Sequence, residues 1–278
     1  ILYAYTKNLH IDFAEIPVSH GQSTREEMFK YFDDKTAGVI LQNPNFFGAI
    51  DDHTDIIEKA HSVGAVAIES VYPISLGILK SPAEMGADIA TGEGQSMGMP
   101  LSFGGPYLGF MATKKEFSRK MPGRIAGVTV DKEGRRGFVL TLQSREQHIR
   151  REKATSNICS NEALCAMRAI IYLSALGKEG LRELAELNHD KAEYTKKLLD
   201  KIKGVEVKKS SPTFNEFTVL LPKDADDVAE DMLNKNFFAG LPLGRYYKGM
   251  EKYLLVAVTE RRTKKDIEDF ARALESVI

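Results

Sequence analysis

Ala37-Gly38-Val39-Ile40-Leu41-Gln42-Asn43-Pro44 is the stretch on which the reading of the fold turns. Its apolar run does not alternate, and it stops at a turn signal, Asn43-Pro44. A second run of the same kind, Ala65-Val66-Ala67-Ile68, follows residues 55–62, whose pattern fits a helix stopped by Gly64. Continuous apolarity predicts strands covered on both faces. Strand, helix and strand in this rhythm predict a parallel sheet. Upstream, Thr24-Arg25-Glu26-Glu27 has the spacing of a capping box and predicts a helix to about Phe32.

Downstream, Asp88-Ile89-Ala90 reads as the end of a strand, residues 107–112 as another strand and residues 114–121 as a short helix. Residues 137–142 are apolar and β-favouring. Residues 161–176 are apolar nearly all round, which predicts a buried helix ending at Gly177. A longer helix follows to about Lys203, with Leu181, Leu184, Leu187, Leu198 and Ile202 on one stripe. Beyond Gly204 the pattern changes. Residues 205–208, 217–221 and 252–259 read as strands, residues 224–234 as a helix with an Asp cap, and Thr263-Lys264-Lys265-Asp266 opens a last helix to Ser276. The expectation is an α/β chain in two parts. Residues 1–176 belong to a large domain whose N-terminal portion is missing, and residues 177–278 form a linking helix and a small C-terminal α/β domain.

With 278 residues the chain is long enough for a sizeable core. A formal net charge of −1 gives no global field toward nucleic acid or an anionic membrane. No apolar stretch approaches a membrane span, and residues 1–10 do not read as a signal peptide. Neither nucleic acid nor membrane is an expected partner. Cys159 and Cys165 match no redox or zinc spacing and read as reduced thiols of a cytoplasmic protein, with a regulatory disulfide as the alternative.

Three segments are candidates for chemistry. Residues 91–106 are glycine-rich, yet they match no P-loop or dinucleotide fingerprint. There is no Lys or Arg from Ser81 through Thr113, while Glu84, Asp88 and Glu93 are present. A tight structural or interface loop is the plainer reading. Residues 143–157 are the densest basic stretch. Arg145, His148 and Arg151 fall near one face of a helix, and Glu146 with Arg150 and His148 with Glu152 have the spacing of surface pairs. A solvated, salt-bridged helix accounts for such a run, and so does an anion or partner site built on Arg forks. Asn43-Pro44-Asn45-Phe46-Phe47-Gly48 lies just past an apolar run, where open α/β sheets bind ligands, although Pro and Gly also serve simply to turn the chain. Among the histidines there is no metal-ligand spacing.

Taken together, Gln42-Asn43-Pro44-Asn45-Phe46-Phe47-Gly48, the run from Gly92-Glu93-Gly94-Gln95-Ser96 to Gly104-Gly105-Pro106-Tyr107, and the run from Gly134-Arg135-Arg136-Gly137 to Ala154-Thr155-Ser156-Asn157-Ile158-Cys159 resemble the glycine decarboxylase family, the P-proteins of the glycine cleavage system. The likeness extends along essentially the whole chain, including Val256-Ala257-Val258-Thr259-Glu260, and is to the subunit 1 type of bacteria and archaea. The resemblance implies the fold of type I pyridoxal-phosphate enzymes, with a mostly parallel large-domain sheet and a small C-terminal α/β domain. It implies a cytoplasmic heterotetramer with glycine dehydrogenase subunit 2, which works with the lipoyl H-protein and the other glycine cleavage proteins. In that enzyme pyridoxal 5'-phosphate takes part in the decarboxylation of glycine, and the aminomethyl group passes to the lipoyl arm.

The family's cofactor lysine follows a histidine ahead of a Gly-rich run. This chain has Gln95-Ser96 near that position, and an imine needs a primary amine. Tyr72 stands before Pro73, where family members commonly have Asp to meet the pyridine nitrogen. The resemblance therefore implies a degenerate pocket at Tyr72, Glu93, Gln95 and Ser96, with no catalytic residue and no covalently bound cofactor in this chain. Pyridoxal phosphate is expected on the companion subunit. Arg145, His148, Arg150, Arg151, Lys153 and Asn157 are the candidate anion or partner-subunit site. A purely structural scaffold subunit is the alternative.

Overall fold

A computed structural model describes residues 1–16, 24–123, 125–142, 147–154 and 162–278. The first sheet has strands β1 (Gly38–Asn43), β2 (Val66–Val71), β3 (Ile89–Glu93) and β4 (Gly109–Thr113) in that order. The first three are parallel, and β4 runs antiparallel to β3. After α1 (Leu2–Thr6), helix α2 (Arg25–Phe29) starts at Thr24, whose hydroxyl accepts from the Glu27 N–H. Arg25 then forks onto Asp51 and reaches Asp55, tying α2 to the loop beyond β1. Helix α3 (Thr54–Ser62) is the crossover between β1 and β2, as the apolar runs predict. Its Ile56, Ile57 and Ala60 pack on Val39, Leu41 and Ala67. Helix α4 (Pro82–Met85) has a complete capping box between Ser81 and Glu84 and adds Met85 to that core.

The runs are not covered on both faces. Burial along β1 alternates: Val39, Leu41 and Asn43 are buried, whereas Gly38, Ile40 and Gln42 are exposed. Ile40 keeps 51% of its surface, and on β2 Val66, Ile68 and Ser70 are only partly covered. The described residues supply helices to one face of this sheet, so its apolar composition exceeds what the chain itself buries.

Strands β5 (Ile125–Val130) and β6 (Arg136–Thr141) form an antiparallel hairpin turned at residues 131–135. The sequence reading found β6 and missed β5. Short α5 (Gln147–Arg150) follows, and then α6 (Ala163–Leu199), two helical segments joined at Gly177 with φ 64°. The first segment is not the buried helix its composition predicts. Only Cys165 and Ala169 are buried there, while Leu164, Met167, Ile170 and Ile171 each leave half or more of their surface in solvent.

The second segment has a fully formed environment. Ala192 and Leu199 sit in a core with Phe217, Val219, Leu254 and Val256. That core lies on one face of the second sheet, in the order β7 (Glu206–Val207), β8 (Glu216–Leu220), β10 (Tyr253–Ala257) and β9 (Leu241–Pro242), all antiparallel. Helix α7 (Ala225–Leu233) is capped by Asp224, and α8 (Lys264–Glu275) by a box between Thr263 and Asp266; they close the same core. Leu187, on the same apolar stripe by spacing, is 43% exposed.

Candidate functional site

Parallel sheets bind ligands beyond the carboxyl ends of their strands. Here those ends are Asn43, Val71 and Glu93. Beyond β2 lies Tyr72, whose carbonyl accepts from Ser75 as the chain turns into a short 3-10 helix (Pro73–Gly77). The Tyr72 ring packs 6.1 Å from Phe214 in a small cluster with Ile74, Ala185, Met97, Leu181 and Leu184. Burial pushes the phenol above its ordinary pKa. Ser96 acts in the opposite direction, and the charges of Glu260 and Glu216 add to the upward shift. Ser96 Oγ is itself buried and meets no partner in hydrogen-bond geometry among the described residues, so its contact with Tyr72 is a loose one. Burial also raises the Glu216 carboxyl, and burial together with Glu260 raises Tyr172.

Beyond β3, Glu93 is consumed in holding its own loop. One carboxylate oxygen accepts from the Gln95 N–H at 2.9 Å and the Leu108 N–H at 2.7 Å. The Gln95 amide turns toward the carbonyls of Pro100 and Leu101. Gly92 is needed by close approach: a Cβ there would lie 2.4 Å from Phe110 and 2.6 Å from the Val71 carbonyl. The glycine-rich run is thus a tight loop with an acidic lip, as its plainer reading holds.

This edge of the sheet does not fit pyridoxal phosphate. The loop offers no primary amine, and Tyr72 lies in an apolar cluster with Phe214 and Ile74. The charges that raise the Tyr72 phenol come from Glu260, Glu216 and Tyr172. Lys191 gives its ammonium to the Glu260 carbonyl at 2.5 Å, while Asn188 accepts from the Glu260 N–H. Among the described residues, elements from both sheets therefore meet here with carboxylates in excess, which disfavours an anionic ligand.

Of the residues singled out from sequence, Tyr72 and Ser96 come together, and Glu93 and Gln95 share one loop. His148, Arg150, Arg151 and Lys153 are solvent-exposed on α5 and the turn after it. Arg145, Asn157 and Cys159 lie outside the described residues. Arg151 has a φ of 53°, which ends the helix, so an α-helical pairing of His148 with Glu152 does not form. Sequence reasoning missed Glu216, Glu260 and Tyr172, which tertiary packing alone brings to Tyr72. It also missed two carboxylates inside the first sheet. Glu69, wholly buried on β2, meets His53 Nδ1 at 3.1 Å. Asp88 gathers the Ala67 N–H, His61 and Lys114. Burial pushes Asp88 upward, but those three partners together hold it below the usual carboxylate pKa. Among the described residues no group of three His, Cys, Asp or Glu side chains could hold a metal, and no helix is long and apolar enough to cross a membrane.

Comparison with known proteins matches residues 1–274 to the family described as glycine cleavage system P-protein. A relative from Geotalea uraniireducens, named probable glycine dehydrogenase (decarboxylating) subunit 1, is 58% identical over this whole chain, which covers 63% of that protein. Its namesake from Maridesulfovibrio salexigens is 49% identical with the same coverage. The chain thus spans a little over three fifths of the length of these relatives. A crystal structure of glycine decarboxylase (P-protein) of the glycine cleavage system in inhibitor-bound form superposes with a TM-score of 0.92 at 42% identity, over all of this chain and 62% of that one. A NifS-like protein from Rickettsia africae, 16% identical, shares the fold at a TM-score of 0.69 over 99% of this chain and 72% of its own. The fold class is that of type I pyridoxal-phosphate enzymes.

Proposed function

The chain belongs to the glycine cleavage system P-protein family, and from that premise we propose that it is part of the subunit of a two-subunit glycine decarboxylase that lacks the cofactor-bearing lysine. The observation that carries the reading is the family likeness along the whole chain, to relatives whose names include "subunit 1". On this reading its companion is glycine dehydrogenase subunit 2. Together they decarboxylate glycine in the cytoplasm and pass the aminomethyl group to the lipoyl group of H-protein, alongside the other glycine cleavage proteins. Pyridoxal phosphate supplies the electron sink for decarboxylation and sits in the companion. No step runs through the acid-lined edge of the first sheet here.

What this chain contributes is contact and charge. The companion covers the open apolar face, where Leu164, Met167, Ile170 and Ile171 stand out of α6. Fully burying an aliphatic side chain of this size is worth roughly 1.5–3 kcal/mol. Arg145, His148, Arg150, Arg151, Lys153 and Asn157 hold an anion of the companion's site or order the subunit contact. We also propose the domain division at residues 176 and 177, where α6 breaks.

The test is reconstitution. Full-length protein and companion are mixed with pyridoxal phosphate, and glycine-dependent carbon dioxide exchange is measured. Activity that requires both chains is expected; full activity from the companion alone contradicts the proposal. The same packing around Tyr72 also favours a scaffold that lends no group to the site. Alanine at Arg145, His148 and Arg151 separates the two: lost activity in an intact complex supports a site role, and a lost complex supports the scaffold.

A further inference from the structure

Five buried side-chain atoms lack a hydrogen-bond partner among the described residues: Glu69 Oε2, Ser96 Oγ, Ser211 Oγ, Thr213 Oγ1 and Thr218 Oγ1. Buried polar groups are nearly always paired, so their distribution matters. Three of the five, those of Ser211, Thr213 and Thr218, line one small cavity of about 30 Å³. It is separate from the Tyr72 cluster, which lies on the Phe214 side of the chain.

The cavity lies against the outer face of the second sheet. On β8 the side chains alternate: Phe217 and Val219 enter the core, and Thr218 points the other way. Lys208, whose N–H donates to the Thr218 carbonyl, and Tyr253 on β10 share that outer face. The opposite wall is the loop after β1. Asn45 ties it, its side chain accepting from the Phe47 and Ala49 N–H groups. Ala49 bridges to Thr213, and Phe214 N–H donates to the Gly48 carbonyl. Gly48, at φ 81°, passes so close to β8 that a Cβ would lie 2.0 Å from the Glu216 carbonyl. Phe46 and Phe47 then stack against Tyr246 and Tyr247, with Phe47 5.2 Å from Tyr247. Two elements distant in sequence thus hold the cavity open between them.

Lys208 is the charged residue among those facing the cavity, and no carboxylate is among them. The Lys208 ammonium stands 5.6 Å from the centre of the Tyr253 ring and 2.8 Å from Glu206, whose side chain is largely in solvent. A hydroxyl with no acceptor has a proton to donate. Three free hydroxyls beside Lys208, whose ammonium is shared with Glu206, walled by Phe47, Met250 and Tyr253, suit a ligand with negative oxygens and little bulk. The volume holds roughly two waters, which admits a small oxyanion and excludes a phosphate ester. We propose that this cavity binds a small oxyanion of the size of a one- or two-carbon carboxylate, held by Lys208, Thr213, Thr218 and Ser211.

Isothermal titration of the full-length protein with formate, acetate, bicarbonate and inorganic phosphate, at fixed ionic strength, tests it. Saturable binding of one or more of the first three is expected. It should weaken at least about tenfold in Lys208→Met and in Thr218→Val, which removes a hydroxyl at nearly constant volume. Thermal melting confirms that each variant stays folded, and Thr213→Ser, which keeps its hydroxyl, should bind as the parent does. Three results overturn the proposal: no saturable heat with formate, acetate or bicarbonate; equal affinity in Lys208→Met and Thr218→Val; or a crystal structure grown in acetate with only water in the cavity.

Discussion

The two segments of α6 begin from similar sequence and meet different fates. Both carry apolar residues at helical spacing, and Gly177 is all that separates them. The C-terminal segment buries Ala185, Asn188, Ala192, Thr195 and Leu199, and the sheet, α7 and α8 complete its core. The N-terminal segment holds out Leu164, Met167, Ile170 and Ile171. The hairpin nearest in sequence does likewise with Val128, Val130 and Phe138. Hydrophobic periodicity therefore announces that a face will be buried without saying whether the same chain buries it. Exposed apolar faces of this kind are what protein association covers.

The largest expected effect lies in the closed segment's core. Phe217→Ala, at a fully buried position under Lys196, should cost about 3–5 kcal/mol in urea unfolding. A loss near zero would mean that this core is not the closed unit described. The open segment should behave oppositely. Met167→Asp with Ile170→Asp should leave the unfolding free energy of the isolated protein within about 1 kcal/mol, because both side chains already face water. The same pair should weaken binding to the companion subunit by about 2 kcal/mol or more in sedimentation or calorimetry. A large loss of intrinsic stability with unchanged binding would reverse the comparison.

Part of this contrast was readable in advance. The parallel β1–α3–β2 unit follows from two apolar runs around an amphipathic helix, and the caps at Thr24, Asp224 and Thr263 are local chemistry. The demand for Gly92 was not readable in advance, because it comes from Phe110 and Val71 on the neighbouring strands. What failed was every judgement of burial that depended on partners. Ile40 and Ile170 have the composition of core residues and lie in solvent. The sites suffered in the same way. Glu216 and Glu260 reach Tyr72 from the second sheet's side of the chain, with no local signature. Lys208 meets Thr218 and the loop at Phe47 only through the pairing of distant strands.

A third prediction concerns the first sheet, where burial is half complete. Asp88 is buried, and its pKa is lowered from the usual 3.8. Its contribution is therefore fully present above the unfolded value and is lost as pH falls through the lower folded value. Asp88→Asn should lower stability at pH 7 by about 1–2 kcal/mol and flatten the acid limb below pH ~4, both read from urea unfolding across pH. An unchanged acid limb would remove Asp88 from the account. The smallest effect expected is at the α8 cap of the closed half, where Thr263→Ala should cost about 1 kcal/mol, visible as a small fall in Tm.

The central claim is that the open segment of α6 is a surface for the companion subunit rather than a badly covered core. Amide hydrogen exchange of the full-length protein, alone and with glycine dehydrogenase subunit 2, tests it most directly. The account predicts new protection concentrated in residues 125–142 and 163–176 on mixing, with residues 205–278 changed little. A complex that forms while residues 163–176 exchange as they do in the protein alone would contradict it.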